Sequence, residues 1–388
     1  MSFFIKTGFG LLFSLLITIS ASVLQVPQSY PTIQSAIDSA ADGDTVLVAA
    51  GEYYEGIDFN GKRIVVGSPF ILDKDTTWIS RTIIRDSLPE FVTIEGERVQ
   101  MLELRNQVLF DSSENEHSVM SGFTILNEEV IITGESKPSF LSNVIEATMV
   151  ADTIPNITSR MTVMTHNPYP VSGLTFKNSR LEIEYCDSPG AVSDNMFFHS
   201  SLFLEGSTSR RTVENNRFEY SSLSYMTSDD SAVITQNSFF SSTLRCAGTG
   251  NDSQYISISN NTFTSDSSRR SLLILGGTGA VFIQGNICKN LFDGTGVSFG
   301  GTGRANQLVC VDDNFFTNKN SGMGYLSFGG TGSCTVKANV KNNRFIDVPV
   351  FFTGTGDYHS QVELSRNILT LSRKTGEDNH TTTLISTP

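Results

Sequence analysis

From residue 195 onward the chain repeats one short phrase: an asparagine, any residue, then an apolar residue. It occurs at Asn195-Phe197, Asn216-Phe218, Asn237-Phe239, Asn261-Phe263, Asn286-Cys288, Asn314-Phe316, Asn343-Phe345 and Asn367-Leu369. Successive asparagines stand 21, 21, 24, 25, 28, 29 and 24 residues apart. Five and three residues before each asparagine the chain is mostly apolar, as in Ile256/Ile258, Val281/Ile283, Val309/Val311 and Val362/Leu364. Alternation with period two predicts a strand with one buried face.

A second landmark shares the period. Gly-Thr-Gly stands at 248–250, 277–279, 301–303, 330–332 and 354–356. Four and two residues before it sit Leu244/Cys246, Leu273/Leu275, Val297/Phe299, Leu326/Phe328 and Val350/Phe352, which predicts another short strand ending in a glycine turn. From the first Gly to the next asparagine of the phrase the distance is 13 residues in four of the five coils.

Two strands per 21–29 residues, with no helix between them, exclude most repeat architectures. A propeller blade needs about 40 residues, and leucine-rich repeats carry their own Leu/Asn signature. The expectation is an all-β fold, a right-handed parallel β-helix, in which each coil pairs with its neighbours and equivalent side chains stack in ladders. The asparagines are expected to occupy the left-handed turn and to bond along the stack, with the apolar residue two positions on packed inside. Upstream the phrase is looser. Ser121-Gly122-Phe123-Thr124-Ile125 matches Ser172-Gly173-Leu174-Thr175-Phe176, Asn143-Val144-Ile145 repeats the asparagine pattern, and 146–170 reads as an irregular coil or lateral loop. About 13–15 coils at about 4.8 Å give a rod on the order of 60–70 Å.

One segment has a helical period. Ile33, Ala36, Ile37 and Ala40 make an apolar face behind a Pro31-Thr32 start, so 32–40 is expected to form a short helix capping the first coil. Before it, residues 1–22 read as an export signal: Lys6, an apolar run from Gly8 to Val23, and small residues at Ser20, Ala21 and Ser22. The β-helix is then expected over 23–372, and 373–388 reads as a polar, Thr-rich tail; either it caps the last coil or the natural chain continues. Secretion follows from the signal, and no second apolar run is long enough for a membrane span.

The formal charge of −13 opposes binding to nucleic acid. The five cysteines, Cys186, Cys246, Cys288, Cys310 and Cys334, are odd in number and lack CxxC spacing, which argues against a disulfide framework or a zinc cluster. The repeat places two, Cys246 and Cys288, in core slots as buried thiols.

The segments TIQSAIDSAADGDTVLVAAGEYYEGIDFNGKRIVVGS (32–68), DTTWISRTIIRD (75–86), VMSGFTILN (119–127) and KPSFLSNVI (137–145) resemble the N-terminal part of bacterial secreted right-handed β-helix repeat proteins of the pectin-lyase-like superfamily. The resemblance implies the fold, secretion and a link to polysaccharides. Polygalacturonase-like sites (Asn-Thr-Asp, Asp-Asp and Gly-His-Gly together) and pectinesterase-like sites (Gln-Asp with Asp-Phe-Ile-Phe-Gly) do not occur here.

Two residues before each asparagine the side chain should point outward. That column reads Glu214, Thr235, Ser259, Gln284, Asp312, Lys341, Ser365. Asp312 should therefore neighbour Gln284 on one side and Lys341 on the other. With Asp313 these make the nearest thing to a catalytic constellation: Asp312, Asp313 and Lys341. The column lacks the clustered oxygens calcium takes, and adjacent strand residues face opposite ways, which disfavours the doublet as an acid–base pair. GGTG at 276–279, 300–303 and 329–332 lacks the aspartate of the calcium nonapeptide. Gly61-Lys62 lacks the phosphate-loop context, and the five histidines suggest no metal site. No cofactor and no metal are expected. The reading is a secreted or cell-surface β-helix that binds glycans, adheres or scaffolds. The alternative is a polysaccharide lyase or glycoside hydrolase whose site lies in 146–200 or in lateral loops.

Overall fold

The computed structural model describes residues 21–85, 91–94, 97–100, 107–126, 128–147, 159–165, 169–184, 190–206, 210–226, 230–250, 253–319, 324–375 and 378–385. Residues 1–20 of the expected export signal, Cys186 and Asp229 lie outside them.

The chain is a right-handed parallel β-helix with three sheet faces, the hand that parallel crossover connections take. The first face is a five-stranded sheet from Val23–Val26 to Ser139–Leu141, then a nine-stranded sheet from Val171–Ser172 to His359–Ser365. Among the described residues the second face has 14 strands and the third 15. Pairing runs parallel from coil to coil, as between Phe282–Cys288 and Asn306–Asp312.

Along much of the rod two of the turns carry polar ladders inside an apolar interior. At the first turn the asparagines are buried and linked. Asn290 Oδ1 accepts the backbone N–H of Asn261 at 2.9 Å, while its Nδ2 donates to Ile258 O, Cys288 O and Asn314 Oδ1 at 2.9–3.0 Å. The same scheme runs through Asn195, Asn216, Asn237, Asn314 and Asn343. A buried amide left unpaired would cost about 1–3 kcal/mol, so each rung depends on the next.

Two sequence expectations need correcting here. The rung between Asn261 and Asn314 is Asn290, not Asn286, which lies exposed on the outer face. Asn290-Leu291-Phe292 fits the phrase as well as Asn286-Ile287-Cys288 does, and the burial of Phe292 decides between them. The left-handed residue is the one before each asparagine. Asn260, Lys289, Asp313 and Asn342 hold φ of 56, 56, 55 and 55°, which leaves the asparagine free to turn inward.

Two residues past the ladder position, which is Leu174 in the first of these coils and asparagine in the rest, comes a column of phenylalanines. Phe176, Phe197, Phe218, Phe239, Phe263, Phe292, Phe316 and Phe345 stack with centroids 4.5–5.1 Å apart. The spacing is that of the coils, so the backbone repeat sets the ring stack. Ile258 and Val311 share a second buried column with Ile287. Ile283 is buried too, but in the adjacent column with Gln254 and Gln307.

The second turn carries a serine ladder with no counterpart in the sequence reading. Backbone N–H groups of Ser179, Ser200, Ser221 and Ser242 donate to the Oγ of Ser200, Ser221, Ser242 and Ser271 at 2.9–3.1 Å. On the third face the Gly-Thr-Gly turns stack closely. Thr278, Thr302, Thr331 and Thr355 are in register, and a Cβ on Gly300 would stand 1.3 Å from Gly329 O.

The front of the rod is covered by α1 (Ile33–Ser39), whose Ile33, Ala36 and Ile37 are buried. Thr32 caps it through Ser35 N. Both carboxylate oxygens of Glu55 accept its first amides, Ile33 N and Gln34 N, at 2.8 and 2.9 Å. At the other end Lys62 Nζ donates to Ile37 O, Asp38 O and Ala40 O at 2.7–2.9 Å. An anion at the start and a cation at the end of a helix match its dipole. At the far end, where the sequence offered a polar tail, Asp378–Ile385 forms a strand antiparallel to Ile368–Thr375. Among the described residues it extends the second face only. Phe352 and Leu364, the last members of two core columns, remain 54% and 49% exposed.

Candidate functional site

Asp312 and Lys341 are brought together as the column implied, with Lys341 Nζ 3.5 Å from Asp312 Oδ2. Asn342 Nδ2 donates to Asp312 Oδ1 at 2.8 Å. The neighbour on the other side is Cys288, not Gln284, because the ladder runs through Asn290. Asp313 does not join them: it is the left-handed turn residue, φ 55°, a backbone role that other residues fill in neighbouring coils. The site is a half-exposed ion pair braced by one amide, with no second carboxylate beside it in the column. It has the makings of neither a cation cradle nor an acid–base pair.

The corrected register assembles something the sequence did not. Two neighbouring outward columns of the nine-stranded sheet run along the rod beside that of Asp312. One reads Ser231, Tyr255, Gln284, Leu308, Lys337; the other reads Val233, Ser257, Asn286, Cys310, Asn339. Between and over them lies a groove of about 620 Å³, bordered at one end by Arg210. Its floor is backbone and small side chains, including Gly285. A Cβ on Gly285 would point into the rod and meet Leu275 Cδ2 at 2.8 Å, so that leucine would have to give way to a larger residue.

The lining mixes two chemistries. Tyr255 and Leu308 are 51% and 47% exposed, and Phe282 stands edge-on to Tyr255 at 6.5 Å. Gln284, Asn286 and Asn339 offer side-chain amides, and none of the three makes a hydrogen bond within the described residues. The contrast with the buried asparagines is sharp, since the ladder side chains donate and accept within the stack. Among the described residues no carboxylate lines the groove, in a chain of net charge −13.

The thiols are poorly placed for nucleophilic chemistry. Cys246 is buried, and burial pushes its thiol up to about 12. Burial also raises Cys288, Cys310 and Cys334 above the usual thiol range, so the thiolate is suppressed. Cys246 occupies the core slot expected for it; Cys288 does not, and lies half-exposed on the outer face, while Cys334 is the second buried thiol. Among the described residues no group of three or more His, Cys, Asp or Glu side chains comes together to hold a metal ion.

Exposed amides, an aromatic ring and an aliphatic patch on one strip of sheet match polyhydroxylated ligands. Amides both donate and accept, as vicinal hydroxyls require, and apolar faces take the C–H side of a sugar ring. The sequence signal for these residues was weak, because outward positions follow no apolar period.

No protein-family model matches the chain, and no curated protein matches it. Among solved structures it is similar to a Siphovirus 9NA tailspike receptor binding domain, at 11% identity and a TM-score of 0.21, covering 92% of this chain and 77% of that one. A superposition that loose carries no argument, and the fold rests on the chain's own pairing. Among the described residues no helix is long and apolar enough to cross a membrane.

Proposed function

We propose that the protein is a secreted or cell-surface glycan-binding β-helix, and that the groove over Tyr255, Gln284, Asn286, Leu308 and Asn339 is its binding face. The observation that carries this reading is the set of three side-chain amides with no hydrogen-bond partner among the described residues, beside the exposed Tyr255 ring. Secretion rests on the export signal read in residues 1–22, and the resemblance to polysaccharide-linked β-helices supports the ligand class. Binding without cleavage is the reading the lining supports: glycoside hydrolysis uses paired carboxylates flanking the bond, and among the described residues none lines this groove.

The test is a panel of purified polysaccharides and their oligosaccharides, with binding measured by calorimetry and turnover by new reducing ends and unsaturated products. At least one glycan binds, Tyr255→Ala and Asn286→Ala each weaken it by about tenfold, the size of a lost contact of about 1.4 kcal/mol, and no product forms. Cleavage, or binding indifferent to both substitutions, overturns the reading. The lyase or hydrolase alternative is the one that product formation would support.

A further inference from the structure

The outward column through the groove carries a cation on either side of a neutral run: Arg210 at the groove's border, and Lys337 one coil beyond Leu308, with the uncharged Gln361 following it. Arg210 directly precedes Arg211, whose partner on the next coil is Ala232, and so continues the line of Ser231, Tyr255, Gln284, Leu308 and Lys337. Both Arg210 and Lys337 are exposed, and neither is in an ion pair with a described residue. Everything between them on that line is uncharged. Five coil steps separate them, about 24 Å. On a chain of net charge −13 this is a neutral strip bracketed by positive charge.

We infer that the groove's ligand is a linear acidic heteropolysaccharide lying along the rod axis, with acidic groups spaced by several neutral sugars. Resting on the glycan reading above, this names the ligand class. One acidic group meets Arg210 and the next meets Lys337, while neutral rings cover Tyr255 and Leu308. A carboxylate on every sugar would place charges over Tyr255, Gln284 and Leu308, where no cation meets them and where desolvation opposes an unpaired charge. The strip therefore selects against a densely charged polyuronate. It also fixes the direction of the glycan, since a chain lying across the strands would reach at most one of the two cations.

The probe is a gellan oligosaccharide two repeats long, with one glucuronate in each tetrasaccharide repeat, compared with the same oligosaccharide after carboxyl reduction. Arg210→Ala and Lys337→Ala are each expected to weaken binding of the acidic form by about three- to fivefold, the range of an exposed ion pair. Carboxyl reduction removes both contacts and should produce about the product of the two losses, after which neither substitution matters further. Raising the salt should reproduce the loss for the acidic form alone. If the reduced form binds equally well and both cation variants bind as the parent does, while Tyr255→Ala still weakens binding, the inference fails and the glycan reading stands. If neither form binds to a folded protein, the inference fails outright. The glycan reading fails with it only when the whole polysaccharide panel is silent.

Discussion

The side-chain oxygen of Asn290 accepts both the backbone N–H and the side-chain amide of Asn261, at 2.9 and 3.1 Å. Four residues earlier Asn286 carries the same side chain on the outer face of the strand, exposed. The pair makes a controlled comparison. Asn290→Ala strips two donors of Asn261 and three acceptors of their partner, and should destabilise by about 2–4 kcal/mol. Asn286→Ala should change stability by no more than about 0.5 kcal/mol. Urea unfolding of both variants checks this; equal losses would mean the ladder skips Asn290.

That rung also marks how far sequence reasoning reached. The coil period, the inward phenylalanines and the front helix were legible because burial imposes a strict alternation, and Phe239, Phe263 and Phe316 stack as expected. The slip at Asn286 was detectable in the same data. Counted from Gly277, Asn290 stands 13 residues on, like the other four coils, and Asn286 was the exception. The serine ladder was missed although Ser200, Ser221 and Ser242 each follow a core Phe by three residues. The groove was illegible for a different reason. Solvent-facing columns obey no apolar rule, so their membership is known only when the register is, and one slip moved Gln284 from the Tyr255 column into that of Asp312.

The front cap should open locally before the rod unfolds. Glu55 and Lys62 hold the two ends of α1, so Glu55→Ala should free two helix amides, a loss of about 1–2 kcal/mol as for other N-terminal caps. Hydrogen exchange should show faster exchange at Ile33 to Ala40 in Glu55→Ala and Lys62→Met, with protection around Phe263 unchanged. Deleting residues 24–42 exposes the sheet edge and should produce aggregation; a monomeric, equally stable truncation would show that the edge needs no cover.

Asp44 ties the first strand to the loop after α1, accepting Ser22 N at 2.7 Å and Ala41 N at 2.9 Å. These bonds hold its carboxyl below the usual range. A depressed folded pKa contributes stability above the unfolded value of about 3.9. The contribution is lost as pH falls through the folded value. Asp44→Asn should therefore be less stable than the parent at pH 6, and the gap should narrow below about pH 4. Thermal unfolding at the two pH values reads the difference; a gap that widens in acid would reverse the assignment.

Asp312 and Lys341 should behave as an ordinary surface pair. Their side chains are 29% and 32% exposed, where such pairs contribute about 0–1 kcal/mol. Asp312→Ala should shift stability by about 0.5 kcal/mol at most and leave glycan binding unchanged. Loss of a measured activity by orders of magnitude, with the fold intact, would move the site from the groove to this pair.

The asparagine ladder has a sense as well as a spacing. Along the stack each carboxamide oxygen accepts from the carboxamide of the coil before it, and its nitrogen, which also holds a backbone carbonyl of that coil, donates to the carboxamide oxygen of the coil after it, as Asn261, Asn290 and Asn314 do in turn. Their dipoles therefore add rather than cancel, screened from water by the phenylalanine column alongside. Parallel strands exchange hydrogen bonds in both directions and contribute little of this kind. The rod is thus electrically polar lengthwise, with carbonyl ends facing the α1 cap and amide hydrogens facing the opposite end. Reversing one carboxamide would set it against both neighbours at once, so the ladder fixes a direction for the whole stack and not merely a distance between coils.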